Sequence, residues 1–448
     1  MTRIRDTGAT VVRIPVDWRQ SVLADPPQGF DARNPGDPSY RFARIDAAVR
    51  DSLAAGLVPL LVVSHAPAFA EASPRWPYAY PGSWAPSPGA LGEFAIALSR
   101  RFDGSFPDPL VPGRTLPRVS LLQAWNEPNL ARYLEPQWVA EGSRWQAFSP
   151  LAYRQMLNAF YAGVKSVEAS DVVISAGLAP NGDPEGVGRM APLRFLREML
   201  CVAPAGVRAP TRCADPPHFD ALAFHPLSVG DPDQPAASSL DVSISDAAKI
   251  GRLLRQAETL HTAMPAGAKP IWVTELNWEG SGVASGGGVP VALQAAWVSR
   301  ALHRLWIGGV SLVQWEFLID PYPGLLASTP TGGYIEYQRP AGLYSAGPGG
   351  NPEGARPKAF LRGFTFPFDP LRTDRRHVRV WALMMRSRAP ALLQRELHDR
   401  AWRTVVRLCA DGYGVLNALV ALRGAARLRL REGPNITATA AVADRRAF

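Results

Sequence analysis

Leu121-Leu122-Gln123-Ala124-Trp125-Asn126-Glu127-Pro128-Asn129 carries an apolar run straight into an acidic residue. Ile271-Trp272-Val273-Thr274-Glu275-Leu276-Asn277-Trp278 is built the same way. Each run reads as a buried strand, so Glu127 and Glu275 fall at strand ends. A charged side chain there must be hydrated, paired or catalytic.

Working outward, similar apolar or β-branched runs recur at 11 to 17, 57 to 65, 172 to 178, 219 to 225 and 310 to 318. Between them lie segments with helical spacing: Arg41 to Ala55, Pro88 to Phe102, Ser149 to Ala169, Pro192 to Cys201, Ser245 to Leu260 and Pro290 to Ile307. Ser149-Pro150 reads as an N-cap followed by proline at the first helical position, where the missing N–H costs nothing. Strands alternating with helices require parallel pairing and crossover connections. Near-continuous apolar strands in this number predict an α/β fold, a closed (β/α)8 TIM barrel over residues 1–372. The first clear strand begins only at Val11, after a helical turn with a glycine stop at Gly8. The opening strand of such a barrel is therefore expected to be missing or shortened. Either the start lies upstream or the barrel closes in an unusual way.

Residues 373–448 change character, to short alternating segments at Val378 to Trp381, Thr404 to Leu408, Gly414 to Val420 and Ala426 to Leu430. Turn signals separate them, which predicts a small all-β, sandwich-like module. Trp381, Trp402 and Tyr413 are its exposed-looking aromatics. It either caps the barrel or binds carbohydrate.

The chain has 448 residues, 47% of them hydrophobic, and a formal charge of +9 that comes from scattered arginine. No basic run of the kind that binds nucleic acid is present. No apolar stretch is long enough for a membrane span, and the N-terminus lacks a signal-peptide core. Cys201 and Cys213 flank a short loop and are expected to close it as a disulfide; reduced thiols are the alternative. That pair favours a secreted or extracytoplasmic protein, with cytoplasmic residence as the alternative. Cys409 reads as a core residue of a strand.

Two carboxylates facing one sugar ring are the working parts of a glycosidase, and barrel active sites lie at C-terminal strand ends. A retaining enzyme needs them about 5 Å apart. The spacing of a metal-binding HExxH is absent, as is a GxGxxG after the first strand. No metal, nucleotide or other cofactor is therefore expected. His65 and His225 also fall at strand ends, where they either serve a site or are satisfied structural histidines. Trp76 to Trp84, with four aromatics and two prolines, suits the wall of a polysaccharide cleft.

Trp125-Asn126-Glu127-Pro128-Asn129 together with Trp272-Val273-Thr274-Glu275-Leu276-Asn277-Trp278 resembles the clan of retaining (β/α)8 glycoside hydrolases that includes the cellulase-like family 5 and the xylosidase-like family 39. The likeness runs over residues 10 to 368. It implies a poly- or oligosaccharide substrate, double displacement, Glu127 as general acid/base and Glu275 as nucleophile. It implies further that Asn126 bonds the sugar 2-hydroxyl, that Arg13 lies beneath the nucleophile and keeps it ionised, and that His225 is the histidine of the sixth strand. Trp315 would floor the innermost subsite. Trp278 and His65 are further candidates for substrate binding, although either tryptophan could instead be a packing residue. Leu227 stands where many relatives carry tyrosine. The chain is expected to act as a monomer, and the rival reading is an idle barrel that binds glycans as a structural module.

Overall fold

The computed structural model describes residues 1–203, 213–228, 230–280, 288–321, 340–385 and 390–442. Within them, seven parallel strands alternate with helices. They are β1 (Val11–Asp17), β2 (Val58–Ser64), β3 (Leu121–Ala124), β6 (Val172–Ser175), β7 (Leu222–Phe224), β8 (Ile271–Leu276) and β9 (Val310–Trp315). An antiparallel hairpin, β4 (Trp138–Glu141) and β5 (Arg144–Ala147), interrupts the series after β3. The helices are α1 (Thr2–Asp6), α2 (Ala43–Ala54), α3 (Pro88–Arg101), α4 (Ser149–Val167), α5 (Pro192–Met199), α6 (Ala247–Thr259), α7 (Val291–Ile307) and α8 (Ala359–Thr365).

The strands form two ladders, β1-β2-β3-β6 and β7-β8-β9, joined through the single bridge Ile174 to Ala221. Among the described residues β1 pairs only with β2, and β9 only with β8. The strand and helix series is that of an α/β barrel, with a seam between β1 and β9 among the described residues.

Alternation along the strands makes two cores. Leu60, Val62, Ile174, Ala221 and Ala223 fill the inside, while Leu61, Val63, Leu122, Val173, Leu222 and Phe224 pack outward with the helices. α3 starts as its sequence demands: Ser87 accepts from the amide of Ala90 and Pro88 takes the first helical position. Ser149 differs from expectation. It lies inside α4, and its hydroxyl donates to Gln137 Oε1 at 2.9 Å. α3 and α4 touch at Gly92 and Gly163, where a Cβ on Gly163 would lie 2.5 Å from the Gly92 carbonyl oxygen.

From α4, the fully buried Tyr153 donates to the Ala124 carbonyl at 2.8 Å and accepts from the Ala176 amide at 2.5 Å. It thereby ties the ends of β3 and β6. Tyr153→Phe would leave both backbone groups buried without a partner, so chemical denaturation should show a loss of about 2 to 3 kcal/mol.

The C-terminal part follows the short pair β10 (Tyr344–Ser345) and β11 (Arg356–Pro357). One antiparallel sheet is β12 (Phe368–Arg372), β13 (His377–Leu383) and β16 (Val415–Ala421). The other is β14 (Ala391–Glu396), β15 (Trp402–Leu408) and β17 (Ala426–Glu432), with β18 (Asn435–Ile436) and β19 (Ala440–Val442) against β17. They share a core of Val378, Val380, Leu393, Leu416, Leu428 and Leu430. Two expectations need correction. Trp381 is fully buried and stacks 4.8 Å from the ring of His303 on α7, so it joins the two parts and is not a surface aromatic. Cys409 lies just past β15 and is exposed. At the same junction Asp369 accepts from Arg300 Nε at 2.8 Å and lies 2.6 Å from His303 Nδ1. Cys201 and Cys213 are disulfide-bonded, and residues 204–212 of the intervening loop lie outside the described residues.

Candidate active site

The inward positions of β1, β3 and β8 carry Arg13, Gln123 and Thr274, and the strand ends carry Asn126, Glu127, His225 and Glu275. Side chains from both ladders meet there. Arg13 donates from Nη1 to Glu275 Oε1 at 2.6 Å, from Nη2 to Asn126 Oδ1 at 2.6 Å and from Nε to Gln123 Oε1 at 3.0 Å. The Gln123 amide donates to Thr274 Oγ1 at 3.1 Å and to the Ser175 carbonyl at 3.0 Å. His225 is wholly buried, with Nε2 2.9 Å from Thr274 Oγ1 and Nδ1 2.9 Å from Glu127 Oε1 and 3.4 Å from Glu275 Oε2.

One proton assignment satisfies this chain of groups. Thr274 accepts from Gln123 and donates to His225 Nε2, and Nδ1–H then points at the two carboxylates. Asn126 accepts from Arg13, and its amide protons have no partner among the described residues. A partly buried guanidinium with all three nitrogens bonded is oriented by charge-assisted hydrogen bonds, so it has little freedom to leave Glu275.

The backbone is strained where the site is built. Trp125 has φ 80°, Glu127 37° and His65 57°, all in the left-handed region that side chains disfavour. The Glu127 amide is held by the Gly177 carbonyl at 3.0 Å. Gly177 cannot be replaced: a Cβ there would sit 1.9 Å from His225 Nε2.

Burial pushes the Glu127 carboxyl above the usual range, Glu275 adds to the push, and the hydrogen bond from His225 opposes it. Burial also lowers His65 to about 4, against the pull of Asp17 and with help from Arg19 and Arg132. A cavity of about 1410 Å³ opens over the site, lined by Arg13, His65, Asn126, Glu275, Trp315 and Glu316. It continues down the seam between β1 and β9 as far as Trp306, Trp381 and Val415.

The structure thus brings together Arg13, Asn126, Glu127, His225 and Glu275, and places His65 and Trp315 on the cavity wall. Trp278 does not reach it. Its ring is 2% exposed, packs against Trp297 and Trp315, and donates to the Gly230 carbonyl at 3.1 Å. It therefore stands behind Trp315 as a support. Gln123, Thr274 and Glu316 belong to the site and were not singled out from the sequence; Gln123 and Thr274 were readable as polar residues inside apolar strands. In the stretch from Trp76 to Trp84, the rings of Trp76, Tyr78 and Tyr80 are exposed, while Glu71 holds the loop by accepting from the amides of Gly82 and Trp84 at 3.1 and 2.8 Å.

No family model and no curated protein matches the chain. Among solved structures, a family 39 glycoside hydrolase from the gut symbiont Bacteroides cellulosilyticus WH2 is similar over 94% of this chain and 75% of its own, at 16% identity and a TM-score of 0.51. The two share a fold. That family lies in the clan that the motifs around Glu127 and Glu275 resemble. A family 51 alpha-L-arabinofuranosidase from Bifidobacterium longum is similar over 98% of this chain and 86% of its own, at 12% identity and a TM-score of 0.49. A glucosidase from Croceicoccus marinus follows at 13% identity, 91% and 77% coverage and a TM-score of 0.48.

Proposed function

We propose that this chain is a retaining glycoside hydrolase that cleaves the O-glycosidic bonds of a poly- or oligosaccharide. The observation that carries the reading is a separation: carboxylate oxygens of Glu127 and Glu275 lie within 4.8 Å of each other. Retaining enzymes hold the pair about 5 to 5.5 Å apart, whereas inverting enzymes need about 6.5 to 9.5 Å to admit a water.

In the first step an oxygen of Glu275 bonds to the anomeric carbon as the bond to the leaving group breaks, and Glu127 gives its proton to the departing oxygen. In the second, a water gives a proton to Glu127 while its oxygen attacks the anomeric carbon and displaces Glu275. Arg13 holds Glu275 in line. The His225 Nδ1–H, shared between the two carboxyls, steadies whichever is charged. Asn126 offers its amide protons to the sugar 2-hydroxyl, and Trp315 gives the ring a flat wall. The disulfide suits an oxidising compartment, so we place the enzyme outside the cytoplasm.

Proton NMR of the first sugar released from an aryl glycoside panel tests the mechanism. Retained configuration is expected; an inverted first product would overturn it. The pH profile tests the roles. Because Glu127 must carry a proton to act as the acid and its carboxyl is held above the ordinary range, activity should persist past the usual carboxyl pKa and fall as pH rises through the raised one. In Glu127→Gln that alkaline limb of kcat/KM should vanish.

A further inference from the structure

Glu316 follows the last residue of β9 and is a third carboxyl on the cavity wall, beside Arg13, Asn126, Glu275 and Trp315. Its Oε2 accepts from Asn277 Nδ2 at 2.5 Å and its amide donates to the Leu276 carbonyl at 3.0 Å, which pins it to the end of β8. Its other oxygen has no hydrogen-bond partner among the described residues. Burial, then the like charges of Glu275 and Glu127, keep this carboxyl protonated far above the ordinary range. A neutral carboxyl both donates and accepts, which suits a sugar hydroxyl.

Among the described residues the cations nearby are engaged. Arg13 serves Glu275, Asn126 and Gln123; Arg19 lies 3.6 Å from Asp17; Arg132 lies over the Tyr133 ring at 5.5 Å. A ring bearing its own carboxylate would set a second anion beside Glu275, whose counter-ion Arg13 is already committed. A neutral ring brings none, and its hydroxyl satisfies the open oxygen.

Resting on the glycosidase reading above, we propose that Glu316 is a specificity-determining residue of the innermost subsite: its open oxygen holds a hydroxyl of a neutral hexosyl or pentosyl ring, and the pocket rejects uronosyl rings.

Saturation-transfer NMR titrations with glucose, galactose, mannose and xylose, against glucuronate and galacturonate, test this on the native chain, Glu316→Gln and Glu316→Ala. At least one neutral sugar should bind the native chain, with both uronates weaker by about tenfold or more. Glu316→Ala should weaken the neutral sugar by about tenfold, the size of one lost hydrogen bond, and Glu316→Gln should restore it. Uronate binding equal to the neutral sugars overturns the proposal, as does an unchanged Glu316→Ala or a chain that binds neither class. Turnover of matched aryl hexosides and uronosides separates the two readings. The expected binding pattern without turnover leaves Glu316 its role and removes the glycosidase; equal turnover of both classes does the reverse.

Discussion

Glu275→Ala should abolish turnover of every glycoside, lowering kcat on the order of 10⁵-fold. In the proposed mechanism Glu275 supplies the bond that makes the intermediate, so neither an activated leaving group nor a change of pH can replace it. The loss should be seen equally with aryl glycosides and natural oligosaccharides in steady-state assays. A variant that keeps even a hundredth of native turnover would show that another group attacks the anomeric carbon. Removing this charge also frees Arg13, whose Nη1 loses its partner at 2.6 Å. An unpaired, partly buried guanidinium is destabilising, so the thermal midpoint should be recorded beside the rate to separate lost chemistry from lost fold.

Glu127→Ala should behave differently. Its loss should be roughly 10²- to 10⁴-fold on substrates whose leaving oxygen needs a proton, and much smaller on aryl glycosides that leave as stable anions. The glycosyl intermediate on Glu275 then accumulates, because no base activates water. Azide, which needs no base, should attack it and give a glycosyl azide of retained configuration, visible by mass spectrometry. Equal losses on all substrates with no azide product would remove the acid/base role from Glu127.

The strands were legible because each is an apolar run bounded by a change of pattern, and the parallel arrangement followed from their alternation with helices. Glu127 and Glu275 stood out as charges directly after such runs. Glu316 occupies the equivalent place after β9, yet Trp315-Glu316-Phe317-Leu318 carries the apolar run past the acid, so nothing in the sequence set it apart. Trp278 was ambiguous for the opposite reason: a tryptophan close to a candidate nucleophile suits both stacking on a ligand and packing behind one, and only its 2% exposure decides. The bonds among Arg13, Gln123, Thr274 and His225 were out of reach, since they depend on the register of strands 49 to 151 residues apart. The β4-β5 hairpin was missed because its few residues fall inside what reads as one long loop. Trp381 was misjudged because its partner, His303, lies on a helix far back in the chain.

The seam has a mechanical consequence. Glu127 belongs to the ladder of β1, β2, β3 and β6, and Glu275 to the ladder of β7, β8 and β9; across the open side no backbone ladder joins them among the described residues. Besides the packed core that both ladders share, a polar network crosses the barrel interior: Arg13 to Glu275, Gln123 to Thr274 and His225 to Glu127 each run from one ladder to the other. The bonds that orient the proposed catalytic pair thus also bridge the side of the barrel where no backbone ladder runs.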